Sequence, residues 1–118
     1  MDELARLRLV VAVASVDGDS VLADFSTFGK RVEIVAPGVD IYSAYPGNTF
    51  AWWSGTSMSA AIFSGACARI AAFGDELALE AAADAIFDSA ADVDGINPDY
   101  AGQLGHGLIQ VDLALEEL

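Results

Sequence analysis

Gly55-Thr56-Ser57-Met58-Ser59 leads into an apolar run that ends at Phe73. Arg69 is the only charged residue of this run, and apolar side chains fall on every side of a helical wheel. A helix that is apolar all round is normally buried on all sides. The sequence therefore predicts a buried central helix that begins close to Ser57.

Ser57 stands at the amino end of this predicted helix, after a glycine that can adopt a tight turn. Unpaired backbone N–H groups and the positive end of the helix dipole favour an anion or a developing oxyanion at such a position. An acyl-transfer enzyme places its nucleophile in this kind of environment. From the residues alone, the alternative is that Thr56 or Ser57 simply caps the helix, because Ser and Thr are preferred N-cap residues.

Four apolar runs before the helix predict strands. Residues 7–16 are almost continuously Leu, Val and Ala, which is typical of a strand covered on both faces in a parallel sheet. Residues 32–36, 41–45 and 49–53 follow, separated by turns that contain Pro, Gly and Asn. The last of these strands leads directly into the serine turn. A strand, a glycine turn, a serine and a helix occur in this order where a nucleophile is exposed at the end of a sheet.

Five segments resemble, in the same order, segments of the subtilisin-like serine peptidases, the subtilases. They are Val10–Asp17, Phe25–Gly29, Val35–Val39, Ser54–Ala60 and Gly105–Ile109. The resemblance covers roughly residues 9 to 115 and implies that residues 1–118 form the C-terminal half of a subtilase catalytic domain, with the N-terminal half absent. The implied fold is α/β, a partial three-layer subtilisin-like fold with a mainly parallel sheet and a buried central helix.

The resemblance implies peptide-bond hydrolysis through an acyl-enzyme with Ser57 as the nucleophile. Its backbone N–H would be one oxyanion donor, and Gly55 and Thr56 would shape the turn that exposes it. Trp53 and Ser54, which directly precede this turn, are candidate substrate-binding residues.

The two adjacent tryptophans leave a second interpretation open. Trp52 and Trp53 could pack in the core, which we favour, or one of them could form a wall of a substrate pocket.

A serine hydroxyl is a weak nucleophile without a base, which in this family is a histidine held by an aspartate. Both precede the serine in subtilases, and we expect this chain to begin too late to include them. The only histidine, His106, lies in a Gly-His-Gly stretch and is predicted to be a loop residue, with the catalytic base as the alternative. Asn48 does not match the asparagine that, in this family, precedes these segments and supplies the second oxyanion donor.

Because the base and this second donor are expected to be missing, the chain alone is predicted to be inactive. The alternative function is a catalytically dead subtilase remnant that acts as a binding or structural module.

Charge and cysteine content limit the classes of partner. The chain has 118 residues with 18 acidic and 5 basic side chains, a formal charge of −13, which disfavours nucleic acid and anionic membranes. Its single cysteine, Cys67, cannot form an intrachain disulfide and is predicted to be a buried, inert thiol.

The expected partners are a peptide or protein substrate, and either the missing N-terminal half or a second copy of this chain that pairs with the exposed sheet. The resemblance implies an extracellular location, although the first residues do not resemble a signal peptide.

Acidic residues are concentrated in two places. Residues 92–99 predict an acidic turn, with a structural calcium ion held by Asp92 and Asp94 as the weaker alternative. Glu33 is a further weak candidate, because some subtilases carry an acid near a cation site there. No cofactor is required for the chemistry. In the second predicted helix, acids repeat at i, i+4 on a face predicted to be solvated or adapted to high salt, namely Glu76, Glu80, Asp84 and Asp88.

Overall fold

The computed structural model describes residues 11–73 and 79–116. The predicted strands and helices are confirmed within these ranges, whereas the first residues of the predicted strand 7–16, and Glu76, lie outside them. The elements in chain order are β1 (Ala12–Val16), β2 (Val32–Pro37), β3 (Ile41–Tyr45), β4 (Thr49–Trp53), α1 (Thr56–Phe73), α2 (Leu79–Ser89), a 3₁₀ helix (Pro98–Tyr100) and α3 (Val111–Glu116).

The strands form two separate pairs. β1 and β2 are parallel, with an irregularity between Ala12 and Val13, and Val35 of β2 also forms a parallel bridge with Leu108. β3 and β4 form an antiparallel hairpin. The hairpin arises because its turn ends in Gly47 with φ 89° and Asn48 with φ 58°, conformations that reverse the chain within three residues. The described strands therefore form a parallel sheet and a separate antiparallel hairpin, so the predicted mainly parallel sheet corresponds to β1 and β2.

Both faces of the β1–β2 pair are covered. The three helices pack on one face in a cluster formed by Val13, Ile34, Ala36, Phe63, Ala66, Cys67, Ile70, Ala82, Ile86, Ile109 and Ala114. The opposite face packs against the loops after α2, in a cluster formed by Ala14, Val16, Val32, Val35, Val93 and Leu104. The predicted α/β layering with a central helix is thus present, and it brings the ends of β1 and β2 to the start of α1.

α1 is buried along one face and exposed along the other. Phe63, Ala66 and Ile70 point into the core, whereas Ala61 and Ala68 are exposed. The burial on all sides that the apolar composition predicts is not reached, because nothing in residues 11–73 and 79–116 covers the second face. Within these same ranges, no helix is long and apolar enough to cross a membrane.

Candidate active site

Ser57 is the second residue of α1, and its side chain is exposed. The helix begins where β1 and β2 end, because Gly55 N–H donates to Gly38 O at 2.8 Å and Gly38 N–H donates to Val16 O at 3.0 Å. Backbone N–H groups of a first helical turn have no acceptor inside the helix. The end of α1 that carries Ser57 therefore presents unpaired donors and the positive end of the helix dipole.

The hydroxyl oxygen and the amide nitrogen of Ser57 both lie close to Gly55. A Cβ added at Gly55 would lie 3.6 Å from Ser57 Oγ and 4.0 Å from Ser57 N. Gly55 does not adopt a left-handed φ, and its carbonyl accepts the N–H of Met58 at 3.1 Å in the turn that begins α1. In acyl-transfer sites a serine hydroxyl attacks the carbonyl carbon while a nearby backbone N–H binds the carbonyl oxygen.

The hydroxyl of Ser57 lacks an activating partner in the described part of the chain. Within residues 11–73 and 79–116, no hydrogen bond of this hydroxyl is found. An unassisted serine hydroxyl is a weak nucleophile. In the described ranges, the hydroxyl of Ser57 therefore stands at the start of α1 with no base bonded to it.

His106 lies at the other end of β2. Its N–H donates to Glu33 O at 2.8 Å, and its ring stacks on Phe87 with centroids 4.8 Å apart. Glu33 is the second residue of β2, whose other end lies next to Ser57, and the four steps from Glu33 to Pro37 span about 13 Å. The prediction of a loop residue is confirmed, and the structure does not bring His106 and Ser57 together.

The predicted core packing of the two tryptophans is wrong. Trp52 is 66% and Trp53 50% exposed, and the hairpin that carries them is a separate sheet whose other three aromatic side chains are exposed as well. Each indole instead packs against a tyrosine of the opposite strand, Trp52 on Tyr42 at 4.8 Å and Trp53 on Tyr45 at 5.7 Å between ring centroids. Trp53 thus reaches solvent four residues before Ser57.

Ser54 and Asn48 lie at opposite ends of the hairpin. Ser54 Oγ accepts a hydrogen bond from Asp40 N–H at 2.9 Å and closes the base of the hairpin beside the serine turn. Asn48 occupies the tip, at the start of β4 and far from the helix that follows it. Asn48 is thus not placed as a second oxyanion donor to Ser57.

The candidate calcium ligands are not gathered at one point. Asp92 Oδ1 accepts the N–H of Asp94 at 2.8 Å, and Asp94 Oδ2 accepts the N–H of Gly102 at 3.1 Å. These are the bonds of an acidic turn, and Glu33 lies on β2. In the part of the chain that the structure describes, no three His, Cys, Asp or Glu side chains are close enough to share a metal ion.

Sequence reasoning missed Ser59, whose side chain is fully buried two residues after Ser57. The sequence did contain a sign of its role, since Ser59 lies in a helix predicted to be buried. Buried polar groups are usually hydrogen-bonded, so its hydroxyl could be expected to have a partner. Its hydroxyl is bonded to the last two carbonyl oxygens of β2.

A family model described as the Subtilase family matches residues 4–107. The chain belongs to the subtilase family. Subtilisin DY of Bacillus licheniformis is 44% identical to it over 66 residues, which are 56% of this chain and 24% of that protein. The thermophilic serine proteinase of Bacillus sp. strain AK1 is 46% identical over 72 residues, 61% of this chain and 18% of that protein. This subtilase chain therefore spans about a quarter or less of the length of these curated relatives.

Solved subtilase structures confirm the fold. The patellamide maturation protease PatA superposes with a TM-score of 0.82 at 30% identity, over 96% of this chain and 44% of that one. The prenylagaramide maturation protease PagA gives a TM-score of 0.82 at 28% identity, over 95% of this chain and 43% of that one. The predicted partial α/β subtilisin-like fold is therefore correct.

Proposed function

We propose that this chain is the nucleophile-bearing portion of a subtilisin-like serine endopeptidase domain. In this proposal Ser57 Oγ attacks the carbonyl carbon of a peptide bond to form an acyl-enzyme, and the N–H of Ser57 stabilises the oxyanion. Gly55 leaves the approach open, and Trp53 and Ser54 flank it. The observation that supports the proposal is the exposed side chain of Ser57 in the first turn of α1, with its Oγ and its backbone N both close to Gly55.

We expect the base, its orienting acid and the second oxyanion donor to come from residues outside these 118. The sequence contains one histidine, and its backbone is bonded to Glu33, near the end of β2 that is remote from the serine. A missing oxyanion donor costs about 2.7–4 kcal/mol of transition-state stabilisation, and a missing base costs several further orders of magnitude in rate. The chain alone is thus expected to be inactive on peptides and proteins, the proposed substrates.

A chimera tests this function. The part of subtilisin DY that precedes the matched region is joined to this chain, and hydrolysis of a chromogenic peptide is measured. We expect turnover by the chimera and a loss of about 10³-fold or more in kcat in its Ser57→Ala variant. Ser64→Ala, which changes another exposed serine of α1, is the matched control and should leave kcat unchanged. A chimera that folds but does not hydrolyse the peptide would contradict the proposal.

A binding module without catalysis is the second candidate, and the hairpin favours it. No charged residue occurs between Asp40 and Arg69, and five aromatic side chains of β3 and β4 are 45–66% exposed. Exposed apolar patches of this kind mark interaction sites. Such a module would give a folded chimera in which neither hydrolysis nor labelling of Ser57 by a serine-directed probe occurs.

Two other properties stay proposals, an extracellular location and a structural calcium ion at Asp92 and Asp94. For calcium, we would compare melting temperatures with millimolar calcium and with equal magnesium. A calcium-specific rise that disappears in the Asp92→Ala/Asp94→Ala variant would support the site. Equal curves in the two salts would rule it out.

A further inference from the structure

The hydroxyl of Ser59 is bonded to the end of β2. Its Oγ lies 2.9 Å from Ala36 O, 2.9 Å from Pro37 O and 2.7 Å from Ser15 Oγ, and the side chain is fully buried. Carbonyl oxygens only accept, and a hydroxyl has one proton to donate. Ser59 therefore donates to the carbonyl pair, and Ser15 donates to Ser59.

Ser57 lies between two points at which the chain is fixed to this strand end. On one side, the N–H of Gly55 donates to Gly38 O at 2.8 Å; on the other side, Ser59 bonds to the last two residues of β2. The contact is close, because a Cβ at Gly38 would collide with Ser59 Oγ and would lie 2.7 Å from Ser15 Oγ.

The rest of the network is also fixed. Ser15 N–H donates to Ser26 Oγ at 2.8 Å, and that hydroxyl donates to Thr27 O at 2.8 Å. No buried side-chain nitrogen or oxygen in the described ranges lacks a partner. A buried polar network whose members are all satisfied holds its groups in one geometry.

We propose that Ser59 is a positioning residue that holds the first turn of α1, and with it Ser57, against the carboxyl end of β2. Its relevance to catalysis rests on the proposed function, in which Ser57 is the nucleophile. Its test needs no catalytic activity, since a thiol at position 57 can report the position of that side chain.

The test uses Ser57→Cys as a reporter. A thiol at a helix N-terminus has a lowered pKa, so the pH dependence of its alkylation by iodoacetamide depends on its placement beside the first-turn N–H groups. In this background we expect Ser59→Ala to raise the pH midpoint of alkylation at position 57 by roughly half a unit, about threefold less thiolate below the midpoint.

Two controls separate positioning from general loss of structure. Ser64→Ala, elsewhere on α1, should leave the midpoint unchanged. Cys67 is an internal reference on the same helix: burial raises the pKa of its thiol, and peptide mapping distinguishes it from position 57. Its alkylation rate should be the same with and without the Ser59 substitution.

A folded Ser59→Ala variant with an unchanged midpoint would overturn the proposal. If that variant does not fold, Ser15→Ala decides by the same criterion, because it removes the hydroxyl that donates to Ser59 Oγ and so weakens the network that fixes Ser59. An upward shift supports the proposal and no shift overturns it. A chimera that fails to hydrolyse peptides leaves this readout unaffected, so the two failures can be told apart.

Discussion

At the scale of single residues, the start of α1 combines an exposed hydroxyl with a buried one. Ser57 could be located from the sequence, because a Gly-Thr-Ser turn before an apolar run indicates a helix N-terminus. The role of Ser59 could not, since its partners Ala36 and Pro37 are more than twenty positions earlier in the chain. The periodicity of apolar residues in a helix does not show which strand end packs against that helix.

Gly38 offers a direct check of how tightly this region is packed. Gly38→Ala places a methyl group against the hydroxyls of Ser59 and Ser15, and we expect it to lower the free energy of unfolding by about 1–3 kcal/mol. Gly65→Ala is the matched control, because a Cβ at this exposed helical position meets no atom within 4 Å, and it should stabilise by about 0.5–1 kcal/mol. Urea denaturation of both variants measures the difference; equal effects would show that the strand end is loosely packed.

At the scale of elements, α2 and the hairpin show how far the sequence pattern predicts which side chains are exposed. The i, i+4 acids of α2 predicted a solvated face, and Glu80, Asp84 and Asp88 are indeed exposed. Core packing was predicted for Trp52 and Trp53, and this prediction is wrong. Hydrophobicity indicates that a side chain favours burial, but whether another layer covers it depends on the whole fold.

Asp84 lies one turn from an acid on either side, so reversing its charge tests the repulsion along α2. We expect Asp84→Lys to raise the free energy of unfolding by about 0.5–1 kcal/mol at low salt, because two unfavourable pairs become favourable ones. The gain should largely vanish in molar salt, which screens exposed charges. Asp24→Lys makes the same charge change at an exposed residue outside the helices, and an equal gain there would point to net charge instead.

Fluorescence tests the exposure of the hairpin. Trp52 and Trp53 are the only tryptophans, so all indole emission comes from β4. We expect emission typical of indole in water and efficient quenching by acrylamide, with Trp52→Phe isolating the signal of Trp53. Blue-shifted emission that resists quenching would show that the hairpin is covered in solution, for instance by a second copy.

At the scale of the whole molecule, the β1–β2 sheet is covered on both faces, whereas the central helix α1 is covered on only one face by the described residues. The strands, the helices and their order could be predicted from the sequence, because local periodicity and turn residues determine them. The second face of α1 could not, since its apolar residues indicate burial without identifying what buries it. The matched structures are more than twice as long as this chain, and in the proposed function the base belongs to that additional part.

Labelling with a fluorophosphonate serine probe tests the central claim most directly. The chain alone and its chimera with subtilisin DY are treated with the probe, and the modified residue is located by intact mass and peptide mapping, with Ser57→Ala as the control. We predict labelling at Ser57 in the chimera and none in the folded chain alone. Labelling of the chain alone at Ser57 would show that an activating base lies within these 118 residues, and labelling of the chimera at another serine would show that Ser57 is not the nucleophile.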